Sequence, residues 1–538
     1  MNGEREPSAA PTPSLTPSLT TQALWLLFAK TVGFALSIAL PVLLVRRLSQ
    51  EDLGLYRQVF LVVMLAMNVL PLGFGMSAFY FLPRERMRQG AVIANTLIFY
   101  FASGLAVAIV LFAWPEALPR LFNSEALRVF ARPLGVVVVL WTVGSFLELV
   151  TVALQDVRAS TAFIVLTQTS KTGLLVAAAV IAGSVRGLLI AAMAQGVVQI
   201  VVMTIYLQRR VPGFWRSFDG SLMRRQAAYA LPLGFSSILG QSQESLHHFF
   251  VSYAFGPAGY ALYTVGVFQL PLIGILRESA GAVILPRINQ LESENNRREI
   301  LQLVANAARK LGLFYLPLFA FLMVAGRQFV EFLFTARYVD SWPIFAVSLL
   351  TLPLGVLVLS PVMRAHEERF FFLWLRIGIL AAVVTILWTS ARALGLVGVI
   401  AVVVASTYVT TIVGAIRMAR LLSMRTADLA LFLPVAKIAL SSAVAAVAAV
   451  AVRTVLAGER PFVVLAVAAP VFAVIYAIGL WLCGVVATAE ITSMWRDLRR
   501  RRPGSGIAGP PVRLQAMPAT ATGGAPSTSR SAAHGPPR

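Results

Sequence analysis

Residues 53–84 read LGLYRQVFLVVMLAMNVLPLGFGMSAFYFLPR, and residues 260–287 read YALYTVGVFQLPLIGILRESAGAVILPR. Each starts with a short turn and an aromatic-bearing helix start, Leu53-Gly-Leu-Tyr56 in one and Tyr260-Ala-Leu-Tyr263 in the other. Each continues as an apolar run and closes on Leu-Pro-Arg, at Arg84 and at Arg287. A helix rising about 1.5 Å per residue crosses the bilayer core in about 20 residues, so each run reads as a membrane span. The copies lie roughly 200 residues apart, a spacing that marks an internal repeat. About six spans fit between them. An even number gives both copies the same topology, related by an axis along the membrane normal.

Composition agrees. Hydrophobic residues make up 58% of the 538, charged residues 13%, and the mean hydropathy is +0.79. Soluble domains carry about 25% charged residues, and disorder requires low hydrophobicity; neither class fits. Apolar runs fall near 23–45, 58–82, 90–113, 133–154, 161–183, 187–207, 228–254, 258–285, 303–325, 341–363, 369–390, 395–417, 430–453 and 461–484. The expected fold is an all-α polytopic membrane protein of about 14 transmembrane helices, in two six-helix bundles with an extra C-terminal helix pair. The expected organisation is a disordered cytoplasmic tail over 1–22, an N-terminal bundle over 23–210, a linker over 211–227, a C-terminal bundle over 228–420, the additional pair over 421–490, and a basic then disordered tail over 491–538.

The net charge of +22, from 45 Lys+Arg against 23 Asp+Glu, sits mostly between the apolar runs. That is the positive-inside pattern, not a nucleic-acid surface. With both termini cytoplasmic, the inner segments collect about 25 basic residues and the outer ones about 12. The single cysteine, Cys483, excludes an intramolecular disulfide and a thiolate metal cluster.

Ionisable groups inside a span cost about 2.5–3.5 kcal/mol each at its centre, so they mark function first. The seventh span, LPLGFSSILGQSQESLHHFFVSYAF over 231–255, carries Ser237, Gln241, Glu244 and His248 at spacings of four, three and four. That places them on one helical face. The stripe reads as cavity lining, with a polar helix–helix contact as the alternative. Pro232 and Gly234 are expected to bend this span. Glu244, His247 and Glu278 are candidates for ion coupling. In the first span Lys30, Phe34, Ser37 and Pro41 repeat the spacing, with snorkelling as the alternative for Lys30. Arg277 and Glu278 fall in the eighth span, serving an anionic ligand or a structural ion-pair network. Lys171 falls in the fifth, with Glu148 its expected structural partner, and Arg376 and Lys437 read as snorkelling. The excess of cations suits an anionic headgroup, because charge in a low-dielectric site acts strongly. No Walker A pattern, HExxH or metal-ligand cluster occurs, so no cofactor or metal is expected, and short outer loops argue against an enzyme.

Ala29-Lys30-Thr-Val-Gly33, Leu48-Ser-Gln-Glu-Asp-Leu-Gly-Leu-Tyr56 and Leu72-Gly-Phe-Gly-Met-Ser77 resemble bacterial polysaccharide flippases of the Wzx type, in the multidrug/oligosaccharidyl-lipid/polysaccharide (MOP) exporter superfamily. The resemblance implies two bundles around a central cavity that opens alternately to each side. It also implies a polyprenyl-pyrophosphate-linked oligosaccharide as substrate, moved across the bacterial inner membrane, with membrane lipid and a polysaccharide polymerase and export machinery as partners. Lys30, Arg277 and Lys171 are the expected pyrophosphate-binding residues, and Ser37 joins Ser237, Gln241, Glu244 and His248 as cavity lining. The lipid II flippases of the superfamily resemble the same plan. An ion-coupled small-molecule exporter of the superfamily is the alternative function.

Overall fold

A computed structural model describes Leu36 and residues 38–485, except Gln269 and 366–368. Lys30, Ser37 and both tails lie outside the described residues. The described residues are 88% helical, with no strand among them. In chain order the helices are α1 (38–47), α2 (Gln50–Val69), α3 (Phe74–Phe81), α4 (Gln89–Ala113), α5 (Ala117–Phe122), α6 (Ala131–Gly144), α7 (Phe146–Ala153), α8 (Val157–Ile181) and α9 (Val185–Arg210). They continue as α10 (Gly220–Gly266), α11 (Pro271–Ser293), α12 (Arg297–Phe334), α13 (Trp342–Leu349), α14 (Leu359–Ala365), α15 (Arg369–Leu421), α16 (Leu433–Val455) and α17 (Pro461–Leu482). Ten helical segments among the described residues are long and apolar enough to cross a membrane. Two of the long helices each join successive crossings. Gly256 (φ 67°, ψ −175°) divides α10, and Gly395 (φ 59°, ψ −141°) divides α15. These angles are open to glycine and strained for residues with a Cβ.

The repeat is visible as broken crossings. The α2–α3 crossing breaks at Leu70-Pro71, and the α10–α11 crossing breaks just before Pro271. In both, proline removes the amide that would continue the helical ladder. The closing motifs diverge. Leu82-Pro83-Arg84 ends its crossing, whereas Leu285-Pro286-Arg287 lies inside α11, which runs on to Ser293. The segment 286–302, which lies between two apolar runs, is two helix ends joined at Asn295. Proline costs a helix about 3 kcal/mol, and packing of Ile288 and Leu291, both buried, offsets it.

Two cores organise the bundles. The first gathers Phe74, Val92, Tyr100, Phe146, Leu147 and Met203, and also Leu222 and Ala230 from the start of α10. The second gathers Val251, Tyr260, Tyr263, Ile344, Leu387 and Val399, with Leu61 of α2 packed against it. So α10 begins in the first core and ends in the second, and α2 reaches across in return. Residues 220–227, read in the sequence as linker, are the first turns of α10. Pro232 does not interrupt it; among the described residues of that helix only Gly256 has non-helical angles. Beside Pro232, Gly234 is a packing position: a Cβ there would lie 2.4 Å from Leu72 C.

The C-terminal pair packs on α12. Phe321 of α12 meets Phe472 of α17 edge to face at 5.4 Å, and Ala445 and Ala449 of α16 complete the cluster.

Candidate functional site

The two bundles meet along α2 and α10. Near the Asp219 end, α10 is clamped to the first bundle by polar contacts. Asn95 Nδ2 donates to Asp219 O (2.9 Å) and to Gln226 Oε1 (3.0 Å), with both side-chain amides buried. Arg225 pairs with Glu85 at 2.6 Å and Arg88 with Asp219 at 3.4 Å. Near the Gly256 end, Gln50 Nε2 donates to Arg337 O (2.6 Å) and Arg46 Nη2 to Phe332 O (3.1 Å), while Phe122 stacks on Phe249 at 5.6 Å.

The α10 polar stripe divides between these ends. Ser237 is exposed and its hydroxyl donates to Leu233 O (2.8 Å). Gln241 Nε2 donates to Ser245 Oγ at 3.2 Å. Glu244 is exposed and has no hydrogen bond or ion pair among the described residues. His248 turns inward, with Nδ1 3.4 Å from Tyr260 Oη. His247 Nδ1 lies 2.8 Å from Tyr263 Oη, and the two imidazoles lie 4.2 Å apart. The structure therefore brings the two histidines together against Tyr260 and Tyr263, while Glu244, one turn away on the same helix, is exposed.

Arg277 is exposed on α11 and has no ion pair among the described residues. Its charge reaches Tyr315 of α12, whose hydroxyl donates to Ile273 O (2.9 Å). Glu278 follows it on the same helix. Arg376 does not snorkel away from the bundle: a Cβ on Gly240 would lie 3.0 Å from Arg376 Nη1, so its guanidinium lies over the bare backbone of the α10 stripe. Composition and span depth give no hint of this, because it depends on how α15 packs on α10. Lys437 also departs from the snorkelling expectation. Its Nζ donates to Cys483 O (3.0 Å), closing the carbonyl end of α17.

Lys171 makes no ion pair with Glu148, which is engaged elsewhere. Its Nζ stands 4.7 Å over the Trp141 ring, and Trp141 Nε1 donates to Ala192 O (2.9 Å) in α9. Lys171 is thus held among α6, α8 and α9 inside the first bundle. Sequence spacing could not separate it from Arg277, because both are lone cations within apolar runs. Among the described residues, no group of His, Cys, Asp or Glu is placed to hold a metal ion. A separate apolar groove of about 680 Å³ lies between α4 and α6, lined by Leu105, Ile109, Phe112, Val136, Val139 and Leu140.

The backbone arrangement is similar to that of "Lipid II flippase MurJ, inward closed conformation", with a TM-score of 0.66 and 15% identity, covering 89% of this chain and 100% of that one. It is also similar to inward-facing and outward-facing structures of "a multidrug resistance MATE family transporter of the MOP superfamily". Both have TM-scores of 0.53, at 17% and 19% identity, covering 76% and 75% of this chain and 96% of those. No curated protein matches the sequence. The chain shares the all-α membrane fold of these structures. Residues 43–343 match the family described as "Polysaccharide biosynthesis protein", and the chain belongs to that family.

Proposed function

We propose that this protein flips a polyprenyl-pyrophosphate-linked oligosaccharide, a precursor of O-antigen, capsule or exopolysaccharide, from the cytoplasmic to the periplasmic leaflet by alternating access. The family match, which reaches from the first bundle into the second, carries this reading. The cations on the second bundle support it. Arg277 is exposed without an ion pair among the described residues, and Arg376 lies over Gly240 beside Ser237, Gln241 and Glu244. A pyrophosphate would meet two guanidinium groups, which bind phosphate oxygens in pairs. The glycan would pass hydroxyl and amide groups, and the polyprenyl chain would stay in lipid. The arginine bias orients the Asp219 end toward the cytoplasm and the Gly256 end toward the periplasm of the inner membrane, with both termini cytoplasmic. A polysaccharide polymerase would then receive the product.

The test is the leaflet location of the lipid-linked oligosaccharide in cells depleted of the protein. Accumulation on the cytoplasmic face with loss of surface polysaccharide is expected. Normal export, with no second flippase present, would remove this reading. The exposed Glu244 favours one alternative, a proton- or sodium-coupled exporter of small cations; Glu244-dependent resistance to cationic dyes would select it.

A further inference from the structure

The junction of the bundles near Gly256 holds a polar group that the substrate reading does not use. The rings of His247 and His248 of α10 lie 4.2 Å apart, tilted by 35°, and meet Tyr263 and Tyr260, from the crossing that follows Gly256. From the other bundle, Arg57 of α2 lies within electrostatic reach of His248, Tyr260 and Tyr338. The charged or titratable groups that reach the pair are therefore Tyr260 and Tyr263 from the following crossing and, at His248, Arg57 from α2; Tyr338 and Arg337, from the turn after α12, reach Arg57's neighbourhood rather than the histidines. Glu244 lies a turn away on α10 itself, and α13 and α15 contribute apolar Ile344, Leu387 and Val399. No carboxylate pairs with Arg57 or with either histidine among the described residues.

The same junction leaves polar atoms unsatisfied. Gln58 is fully buried with neither amide atom hydrogen-bonded among the described residues, and Ser252 Oγ, Tyr338 Oη and Arg57 Nε likewise have no partner among them. Gly54 touches Pro257 and Leu72 touches Gly234. That antiparallel register sets Gln58 level with Ser252. Buried unpaired polar atoms cost about 1–3 kcal/mol each. A junction holding several is poised to open and hydrate.

We infer that His247 and His248 are the proton-binding site that couples opening at the Gly256 end to protonation. In the joined state a proton on the half-buried His248 would add a second cation within reach of Arg57, with no carboxylate paired to either group among the described residues, and a proton on His247 would add one beside that pair. Each imidazole shares one hydrogen bond with its tyrosine there, which a neutral ring satisfies without adding charge. When α2 moves away from α10, Arg57 and the two rings separate, water enters, and the imidazoles accept protons. The separated state thus binds more protons, so lowering the pH favours it, and the ligand that distinguishes the two states is H⁺. This inference rests on the alternating-access reading but not on the identity of the substrate.

The test uses purified full-length protein in lipid nanodiscs, with Cys483→Ser and spin labels at Glu51→Cys and Arg337→Cys, exposed positions on opposite sides of the junction. If one imidazole with an ordinary pKa of about 6.5 is protonated only in the separated state, the separated-to-joined ratio rises about thirtyfold between about pH 8 and about pH 5. His247→Gln/His248→Gln should abolish that rise. Arg57→Gln should blunt it, because the joined state then tolerates a protonated ring; this second variant serves if the double one does not fold. A pH-independent distance in the parent protein, or an undiminished rise in these variants, overturns the inference. A pH-dependent distance in a protein that does not flip oligosaccharide would remove the substrate reading and leave the latch standing.

Discussion

Gly54 and Pro257 meet backbone to backbone: a Cβ on Gly54 would lie 1.9 Å from Pro257 O. This is where the signature turn of the first repeat touches the start of the second repeat's equivalent crossing, one of the close backbone contacts between α2 and α10. Gly73 makes a second such contact, in the left-handed region (φ 79°), where a Cβ would lie 2.3 Å from Ala230 O.

Gly54→Ala should therefore force α2 from α10, since a backbone carbonyl cannot rotate aside as a side chain can. The expected loss is about 1–3 kcal/mol. A lowered Tm in detergent, with a wider Glu51–Arg337 label distance at neutral pH, is the expected result; an unchanged distance would mean the bundles slide to absorb the methyl group.

Arg277→Ala should abolish transport while leaving folding intact, because the side chain is exposed and unpaired among the described residues. Arg376→Ala should weaken transport in the same assay. Flipping of lipid-linked oligosaccharide in proteoliposomes reads both. Full transport by a well-folded Arg277→Ala protein would remove its assigned role.

Lys171→Met should be tolerated in transport, because the ammonium group sits on Trp141 inside the first bundle. A cation–π contact contributes about 0.5–2 kcal/mol, so a modest fall in Tm is expected. Lost transport at unchanged stability would return Lys171 to the substrate route.

Lys437→Met should free the Cys483 carbonyl and fray the end of α17. A net hydrogen bond to a charged group contributes about 1.5–3 kcal/mol. Faster amide exchange near residue 483, with transport retained, is expected. Slow exchange there would show that another donor takes over the carbonyl.

Asp219 gives the clearest pH dependence outside the membrane. The Ser221 hydroxyl, then the Leu222 amide, donate to its carboxylate, and Arg88 lies nearby, so its pKa is held below the usual carboxylate value. A depressed carboxyl stabilises the fold above its unfolded pKa and loses that contribution as pH falls through the folded one. Protection of the Leu222 amide should persist at mildly acidic pH and fall only in stronger acid. Asp219→Ala should remove it at neutral pH.

The apolar runs and the all-α membrane fold were legible in the sequence, because a bilayer demands long apolar helices whatever their neighbours. The one-face spacing of Ser237, Gln241, Glu244 and His248 was legible for the same local reason, since helical periodicity needs only the chain itself. What each polar group meets was not. The sequence offers Glu148 for Lys171, and packing gives it Trp141. The sequence sends Arg376 and Lys437 to the headgroups, and packing lays one over Gly240 and bonds the other to Cys483. His247 and His248 are adjacent in any reading, but Arg57 lies nearly 200 residues away in the chain and comes within electrostatic reach of His248 only because α2 packs on α10. Periodicity along one helix fixes which residues share a face; what that face meets is decided by contacts between helices far apart in sequence.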